Sequence, residues 1–193
     1  KKERTKEHRL SQLMWECTLR CNLNCRHCGS DCHKEAAKPD MPLKDFLKVL
    51  ESIKAHTNPN KVFVIITGGE PLLYPLDVLT SKLKEAGLEI FLETSGTHPF
   101  SGEFDWVCLS PKRQQPPLAE AFGRAHELKV IIQSEEDFAW AEENARRVGR
   151  YCRLYLQPEW SVYDDISPKM VEYAKSHPKW SISVQTHKFM RIP

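Results

Sequence analysis

Three cysteines in one short segment carry the strongest chemical signal of this chain. Cys21, Cys25 and Cys28 follow a C-x3-C-x2-C spacing, which places three thiolates on one loop, close enough to hold three corners of a cubane iron–sulfur cluster. A fourth cysteine ligand would complete the cluster as an electron carrier, whereas three leave one iron open to a further ligand. The spacing therefore predicts a 4Fe–4S cluster with one open coordination site.

Two other uses of the cysteines compete with this interpretation. The chain has seven cysteines, and five of them lie within residues 17–32. A disulfide framework is typical of short secreted chains, but no apolar signal segment is seen and 193 residues suffice for an ordinary core. A zinc site with His27 or His33 as fourth ligand fits the local spacing, although the usual second ligand pair is missing downstream. Cluster binding is favoured, and zinc remains the alternative.

Composition narrows the class of protein. Hydrophobic residues make up 40% and charged residues 28% of the chain, as in an ordinary soluble domain, and we expect a single domain over residues 1–193. The formal charge of +2 gives no reason to expect nucleic-acid binding. The longest wholly apolar run, residues 62–66, is too short to span a membrane. Clustered free thiols indicate a reducing cytoplasm.

Short apolar segments alternate with amphipathic ones along the chain. β-Branched and aromatic runs predict strands at residues 12–18, 61–67, 89–94, 106–110, 128–132, 153–157 and 181–185. Helical spacing predicts helices at residues 42–56, 76–86, 135–148 and 168–176. This alternation predicts an α/β fold with a parallel sheet, and seven strands in this length indicate an incomplete, laterally open TIM-type barrel.

Polar residues follow six of the predicted strands. They are the cysteine loop, the turn formed by Gly68, Gly69 and Glu70, then Ser95, the pair Ser110 and Lys112, Gln157, and His187. Ligands of parallel α/β sheets gather at the carboxyl ends of the strands. Two adjacent glycines also let a backbone approach a ligand closely. We therefore expect these residues to share one binding edge.

The cysteine loop and the Gly-Gly-Glu turn together resemble the radical S-adenosylmethionine (SAM) enzymes. Further stretches resemble one family among them, the 7-carboxy-7-deazaguanine synthases; they are residues 93–97, 106–112, 127–130, 156–158 and 179–188. The resemblance covers about residues 62–193. It implies a reduced α/β barrel, usually homodimeric. It also implies conversion of 6-carboxy-5,6,7,8-tetrahydropterin to 7-carboxy-7-deazaguanine with loss of ammonia, within queuosine and deazapurine biosynthesis.

The resemblance also implies roles for individual residues. Cys21, Cys25 and Cys28 would hold the 4Fe–4S cluster. The residues that would contact SAM are His27, Gly29, Gly68, Gly69, Glu70, Ser95, Ser110, Lys112 and Gln157. Thr67, His187 and the α-carboxylate of Pro193 would face the pterin, and Ser30 stands where the family has a magnesium-binding threonine. An external electron donor such as flavodoxin would reduce the cluster.

The front of the chain departs from this family. Before Cys21 there is no Gly-Glu-Gly segment of the kind that grips the pterin, and residues 15–32 look more like radical SAM enzymes that modify peptides or other large substrates. Peptide maturation and glycyl-radical enzyme activation are therefore alternative activities, although only Cys108 and Cys152 follow Cys32. A non-catalytic zinc or iron–sulfur module is the alternative of another class.

Overall fold

The architecture is a parallel sheet in which every strand pairs with its neighbour in the chain. The structure is a computed structural model, and it describes residues 10–23, Cys25, Cys28, Ser30, Cys32 and 37–190. Seven strands form one sheet in the order β1 to β7, and all their pairings are parallel. The strands are β1 Gln12–Thr18, β2 Phe63–Gly68, β3 Glu89–Thr94, β4 Trp106–Leu109, β5 Glu127–Ile132, β6 Arg153–Pro158 and β7 Trp180–Ile182. Because β1 and β7 are not paired with each other in the described part, the sheet stays open, which confirms the predicted partial barrel.

Helices connect the strands in the manner of repeated βα units. They are α1 Leu43–His56, α2 Asp77–Glu85, α3 Ala119–Arg124, α4 Glu136–Ala145, α5 Tyr163–Ser176 and α6 Thr186–Met190, with short 3-10 turns at Pro59–Lys61, Pro71–Leu73 and Trp160–Val162. Phe46, Leu50 and Ile53 are the buried side of α1, at the spacing of one helix face. Among the described helices, none is long and apolar enough to cross a membrane.

Two hydrophobic clusters form the core beneath the helices. The first joins α1 and α2 to the buried face of β2 and β3, and the second joins α3, α4 and α5 to β4, β5, β6 and β7. Phe100 packs against both clusters. Ile66, Leu92 and Leu128 are fully buried examples, and each such side chain contributes roughly 1.5–3 kcal/mol of transfer free energy. The clusters fix the strands, and with them the loops at the strand ends.

The opposite face of the sheet is only partly covered. Alternate strand residues such as Ile65, Phe91, Lys129 and Tyr155 are partly exposed, while their neighbours in sequence are mostly buried under the helices. This alternation follows from the two-residue period of a strand. The partly covered face is therefore open to a ligand that enters from the strand ends.

The predicted strands agree with the structure within two residues except at the last one. β7 ends at Ile182 rather than at residue 185, because the backbone turns at Val184, whose carbonyl accepts the N–H of Thr186 at the start of α6. α5 begins at Tyr163 and contains Pro168, where the prediction began. α3 and α6 were not predicted.

Candidate functional site

The cysteine loop lies directly against the turn that follows β2. The N–H of Gly69 donates to the carbonyl of Thr18 at 2.7 Å, and the N–H of Glu70 donates to the carbonyl of Arg20 at 3.1 Å. A Cβ atom on Gly69 would lie 1.9 Å from the carbonyl oxygen of Arg20, and Gly68 adopts a φ of +109°. Only glycine tolerates both conditions. The close backbone approach predicted here is thus made to the protein's own cysteine loop.

Glu70 joins the ends of β2 and β3. Its side chain is 1% exposed. The carboxylate accepts the hydroxyl of Thr94 at 2.6 Å, the N–H of Ser95 at 2.8 Å, the N–H of Leu72 at 3.1 Å and the hydroxyl of Ser95. A buried carboxylate is stable in such a setting because donors compensate for lost hydration. Glu70 thereby orients Ser95 and the glycine turn.

The loop after β4 brings a cation to the cysteines. The ammonium of Lys112 donates to the hydroxyl and the carbonyl of Ser110 at 2.6 and 2.8 Å. Burial lowers the pKa of Lys112, and the nearby Cys25 opposes this shift. Burial in turn raises the pKa of the Cys25 thiol, and Lys112 opposes that shift. The two side chains therefore interact electrostatically, and the charge of Lys112 favours a thiolate at Cys25.

The cysteine sulfurs are close enough to influence one another. Burial raises the pKa of Cys21, and Cys25 and Cys28 add to the shift, while a hydrogen bond from the backbone lowers it. The N–H of Leu23 donates to the Cys21 sulfur at 3.4 Å, and the N–H of Cys32 donates to the Cys28 sulfur at 3.4 Å. No three His, Cys, Asp or Glu side chains of the described part surround a single ion position. The three free thiols on this one segment are the donor set that a cubane requires.

A polar network lies on the partly covered face below these loops. The hydroxyl of Thr67 donates to Glu93 at 3.2 Å, and the ammonium of Lys129 contacts the other carboxylate oxygen at 3.2 Å. Burial would lower the pKa of Lys129, but Cys108, Glu93 and Glu127 outweigh it and raise that pKa. Glu93 and Lys129 were not predicted as site residues. The sequence feature that could have identified them is a charged residue at an alternate position of an otherwise apolar strand.

The remaining predicted residues fall in different places. Gln157 is 8% exposed at the end of β6 and accepts the hydroxyl of Ser183 at 3.3 Å. Ser30 lies in a turn and is partly exposed, and His187 belongs to α6. The side chain of His187 and the residues His27, Gly29 and Pro193 lie outside the described part, so their predicted roles stay predictions.

Comparisons with known proteins agree with this geometry. The model of the radical SAM superfamily matches residues 15–134. A 7-carboxy-7-deazaguanine synthase of Synechocystis is 44% identical over 144 residues, which are 75% of this chain and 69% of that protein. The chain belongs to the 7-carboxy-7-deazaguanine synthase family. A 7-carboxy-7-deazaguanine synthase of Flavobacterium psychrophilum is 48% identical over 130 residues, which are 67% of this chain but 62% of that protein.

Solved structures support the fold of this radical SAM family member. The crystal structure of QueE from Escherichia coli aligns with a TM-score of 0.71 at 24% identity, covering 91% of this chain and 85% of that one. The native anSMEcpe structure with bound AdoMet aligns with a TM-score of 0.53 at 15% identity, covering 91% of this chain and 51% of that one. Membership in the radical SAM superfamily implies a 4Fe–4S cluster and SAM, and the three free thiols, with the charge of Lys112 near Cys25, fit such a cluster.

Proposed function

We propose that this chain is a radical SAM lyase that converts 6-carboxy-5,6,7,8-tetrahydropterin to 7-carboxy-7-deazaguanine and releases ammonia. The names of the relatives that match at 48% and 44% identity support this activity. The observation that carries it is the position of the network of Thr67, Glu93 and Lys129 beside the strand ends that present the cysteine loop. A small polar bicyclic substrate fits a partly exposed polar face of this kind.

The residues on the cofactor side have separate tasks. Cys21, Cys25 and Cys28 would hold three irons, and the open iron would take SAM. When both are bound, the reduced cluster supplies the electron that cleaves the carbon–sulfur bond of SAM. The residues that would line the SAM site are His27, Gly29, Gly68, Gly69, Ser95, Ser110, Lys112 and Gln157. Glu70 would act indirectly, since its carboxylate is occupied by donors from the protein.

The residues on the substrate side would bind and orient the pterin. Glu93 is 38% exposed at its side chain, so its carboxylate can accept N–H groups of the pterin while Thr67 and Lys129 hold it in place. His187 and Pro193 would complete the contacts.

Ser30 would provide a hard oxygen ligand to Mg²⁺, which would orient the substrate carboxylate. The variant Ser30→Ala should keep cluster and SAM binding but lose the Mg²⁺ dependence of turnover; an unchanged Mg²⁺ response would contradict this role.

The setting of the enzyme follows from the same resemblance. A reduced carrier such as flavodoxin would deliver the electron, and two copies would form a homodimer, as the family usually does. The described cysteines are all free thiols, which suits a reducing cytoplasm. We propose that residues 1–193 act as one radical SAM domain.

A second activity is supported by the front segment. Residues 15–32 lack a Gly-Glu-Gly segment before the cysteines and look more like radical SAM enzymes that act on peptides or other large substrates. Under this alternative the cluster and SAM sites would stay the same, and the partly covered face would receive a peptide segment or a glycyl-radical enzyme.

One experiment separates these activities. The protein is reconstituted anaerobically with iron and sulfide, reduced with dithionite, and incubated with SAM and 6-carboxytetrahydropterin. We expect 5′-deoxyadenosine, ammonia and 7-carboxy-7-deazaguanine, measured by liquid chromatography and mass spectrometry. Tetrahydropterin without the carboxylate serves as the matched control and should give no deazaguanine. Cleavage of SAM without any pterin product would contradict the proposed activity and favour the second one.

A further inference from the structure

A pair of amide side chains connects the cysteine loop to the loop after β4. The Nδ2 atom of Asn22 donates to Oε1 of Gln115 at 2.6 Å, although the two residues are 93 positions apart in the chain. Asn22 directly follows the cluster ligand Cys21. Gln115 lies three residues after Lys112, whose charge opposes the rise in the pKa of Cys25. The pair therefore joins the two segments that meet at the cluster position.

The contact connects loops at the carboxyl ends of two strands that are not neighbours in the sheet. The cysteine loop follows β1 and Gln115 follows β4, and β2 and β3 lie between these strands. Strands are spaced at about 4.8 Å, so the two strand ends are separated by roughly 14 Å across the sheet. The side-chain hydrogen bond between Asn22 and Gln115 therefore requires the two loops to extend toward each other. The pair thus forms a bridge between the loops after β1 and β4.

The loop after β3 supplies a second contact for the same amide. Oγ1 of Thr97 lies 3.5 Å from Nδ2 of Asn22 and 3.0 Å from the hydroxyl of Ser95. Ser95 in turn donates to Glu70. Thr97 is 7% exposed, whereas Asn22 is exposed, so this contact is partly buried. Both hydrogens of the Asn22 amide are therefore used, one toward β3 and one toward β4.

The far side of the bridge is fixed to a helix. Arg113 donates through Nε and Nη2 to one carboxylate oxygen of Asp137 at 3.0 and 2.8 Å, and its guanidinium lies 4.9 Å from the ring centroid of Trp140. Asp137 and Trp140 belong to α4. A charge-assisted double contact of this kind restrains both partners. Gln115, two residues further along, is thereby presented from a fixed support.

We propose that Asn22 and Gln115 are positioning residues that set the distance and orientation of the cluster relative to the SAM-facing residues Ser110 and Lys112. Neither residue is a cluster ligand, and both act through the loops that they connect. The proposal rests on the proposed function only for its use of a cluster and SAM, and it does not depend on which substrate follows. A misaligned cluster would still assemble but would cleave SAM less efficiently.

The test uses the reconstituted full chain without any pterin. The variants are Asn22→Ala, Gln115→Ala, the double Ala variant and the exchange Asn22→Gln with Gln115→Asn, which keeps one amide of each length. The control is Asn58→Ala, which removes a capping amide. Asn58 precedes β2 in the chain, whereas the cysteine loop and Gln115 follow the carboxyl ends of their strands. The readouts are iron and sulfide content, kcat and KM for SAM cleavage, and the EPR spectrum of the reduced cluster with and without SAM.

We expect each single variant to take up iron normally and to cleave SAM about five- to tenfold more slowly. The SAM-induced change of the EPR spectrum should be altered, the double variant should lose little more than a single one, and the exchange should recover most of the rate. Wild-type kinetics in both single variants would overturn the proposal. Loss of iron binding would also overturn it, as would additive losses without recovery in the exchange variant.

Discussion

At the scale of single residues, the site depends on how charge and hydrogen bonds surround the sulfurs. A 4Fe–4S cluster with three thiolates is an anion placed partly out of water, and its potential depends on the local charge and on hydrogen bonds to sulfur. The N–H of Leu23 donates to the Cys21 sulfur, and the charge of Lys112 opposes the rise in the pKa of Cys25. We therefore expect a few residues in and beside the loop to influence both cluster assembly and reactivity.

The first prediction separates ligands from neighbouring thiols. Each of Cys21→Ala, Cys25→Ala and Cys28→Ala should abolish SAM cleavage, because soft thiolates are required at the cluster. Cys32→Ala and Cys17→Ala should retain it; Cys17 packs against the first core cluster. Absorbance near 400 nm and 5′-deoxyadenosine formation are the measurements. Loss of the cluster in Cys32→Ala would show that the ligand set is wrong or incomplete.

The second prediction concerns the cation beside the cluster. Lys112→Met should make the midpoint potential of the cluster more negative, since a positive charge favours the more negative reduced state. The rate of SAM cleavage should fall as well, and Lys112→Arg should recover part of the potential. EPR-monitored redox titration measures the shift, with the exposed Lys169→Met as the matched control. Equal potentials for Lys112→Met and wild type would contradict the role given to Lys112.

At the scale of elements, Glu70 connects the carboxyl ends of β2 and β3. Its carboxylate collects donors from the 3-10 turn Pro71–Leu73 and from the end of β3, and the preceding glycine turn contacts the segment that leads into the cysteine loop. A substitution of Glu70 should therefore alter the positions of both strand ends and of the cysteine loop.

The third prediction tests the connection that Glu70 makes between β2 and β3. Glu70→Gln places an amide NH₂ among hydrogen-bond donors, which should lower the free energy of unfolding by about 1–3 kcal/mol. The affinity for SAM should fall in parallel, because Ser95 and the glycine turn lose their anchor. Urea unfolding and equilibrium binding of SAM are the measurements. Glu51→Gln, an exposed change on α1 with a side chain 74% exposed, should stay within about 0.5 kcal/mol of wild type.

The sequence predicted elements well where local pattern decides them. β1 and β3 have the predicted bounds, because alternation and β-branched residues mark a strand directly. The helix predicted at residues 168–176 began at Pro168, and proline is common in the first turn of a helix. In the structure Pro168 is the sixth residue of a helix that begins at Tyr163. α3 has six residues, too few for a periodic signal.

The sequence showed the motifs of the candidate site but not the contacts that connect them. The cysteine spacing and the Gly-Gly-Glu turn are local patterns, and both could be recognised. Glu70 was assigned to the cofactor side because sequence cannot show that its carboxylate is already filled by Thr94 and Ser95. The contact between Asn22 and Gln115 depends on the curvature of four strands, which no local pattern encodes.

At the scale of the whole molecule, the two hydrophobic clusters of the core and the cysteine loop both contribute to stability. The hydrophobic clusters hold the sheet, while β1, at one edge, joins the rest through β2 and through the loop contacts. A bound cluster would link Cys21, Cys25 and Cys28 within the loop after β1. Stability should therefore depend on metal loading as well as on packing.

The fourth prediction follows from this link. The reconstituted protein should unfold at a higher temperature than the apoprotein, and SAM at a hundred times its dissociation constant should add about 2.7 kcal/mol. Chelation of iron after oxidation should return the melting temperature to the apo value. Cys25→Ala, which keeps the fold but lacks a ligand, should show no increase in either step. Anaerobic calorimetry is the measurement, and identical melting of loaded and apo protein would contradict the expected coupling.

The strand order has a consequence for how this protein is made. Each strand pairs with its predecessor in the chain, so the sheet can grow strand by strand as the polypeptide leaves the ribosome. The cysteine loop emerges early, but Gln115 follows Asn22 by 93 residues. At a synthesis rate of 5–20 residues per second, roughly 5–20 s separate the synthesis of Asn22 from that of its partner Gln115. We expect the thiols to be open to oxidants and stray metal ions during that interval, so iron delivered after the fourth strand is complete would meet the cysteine loop in its final contacts.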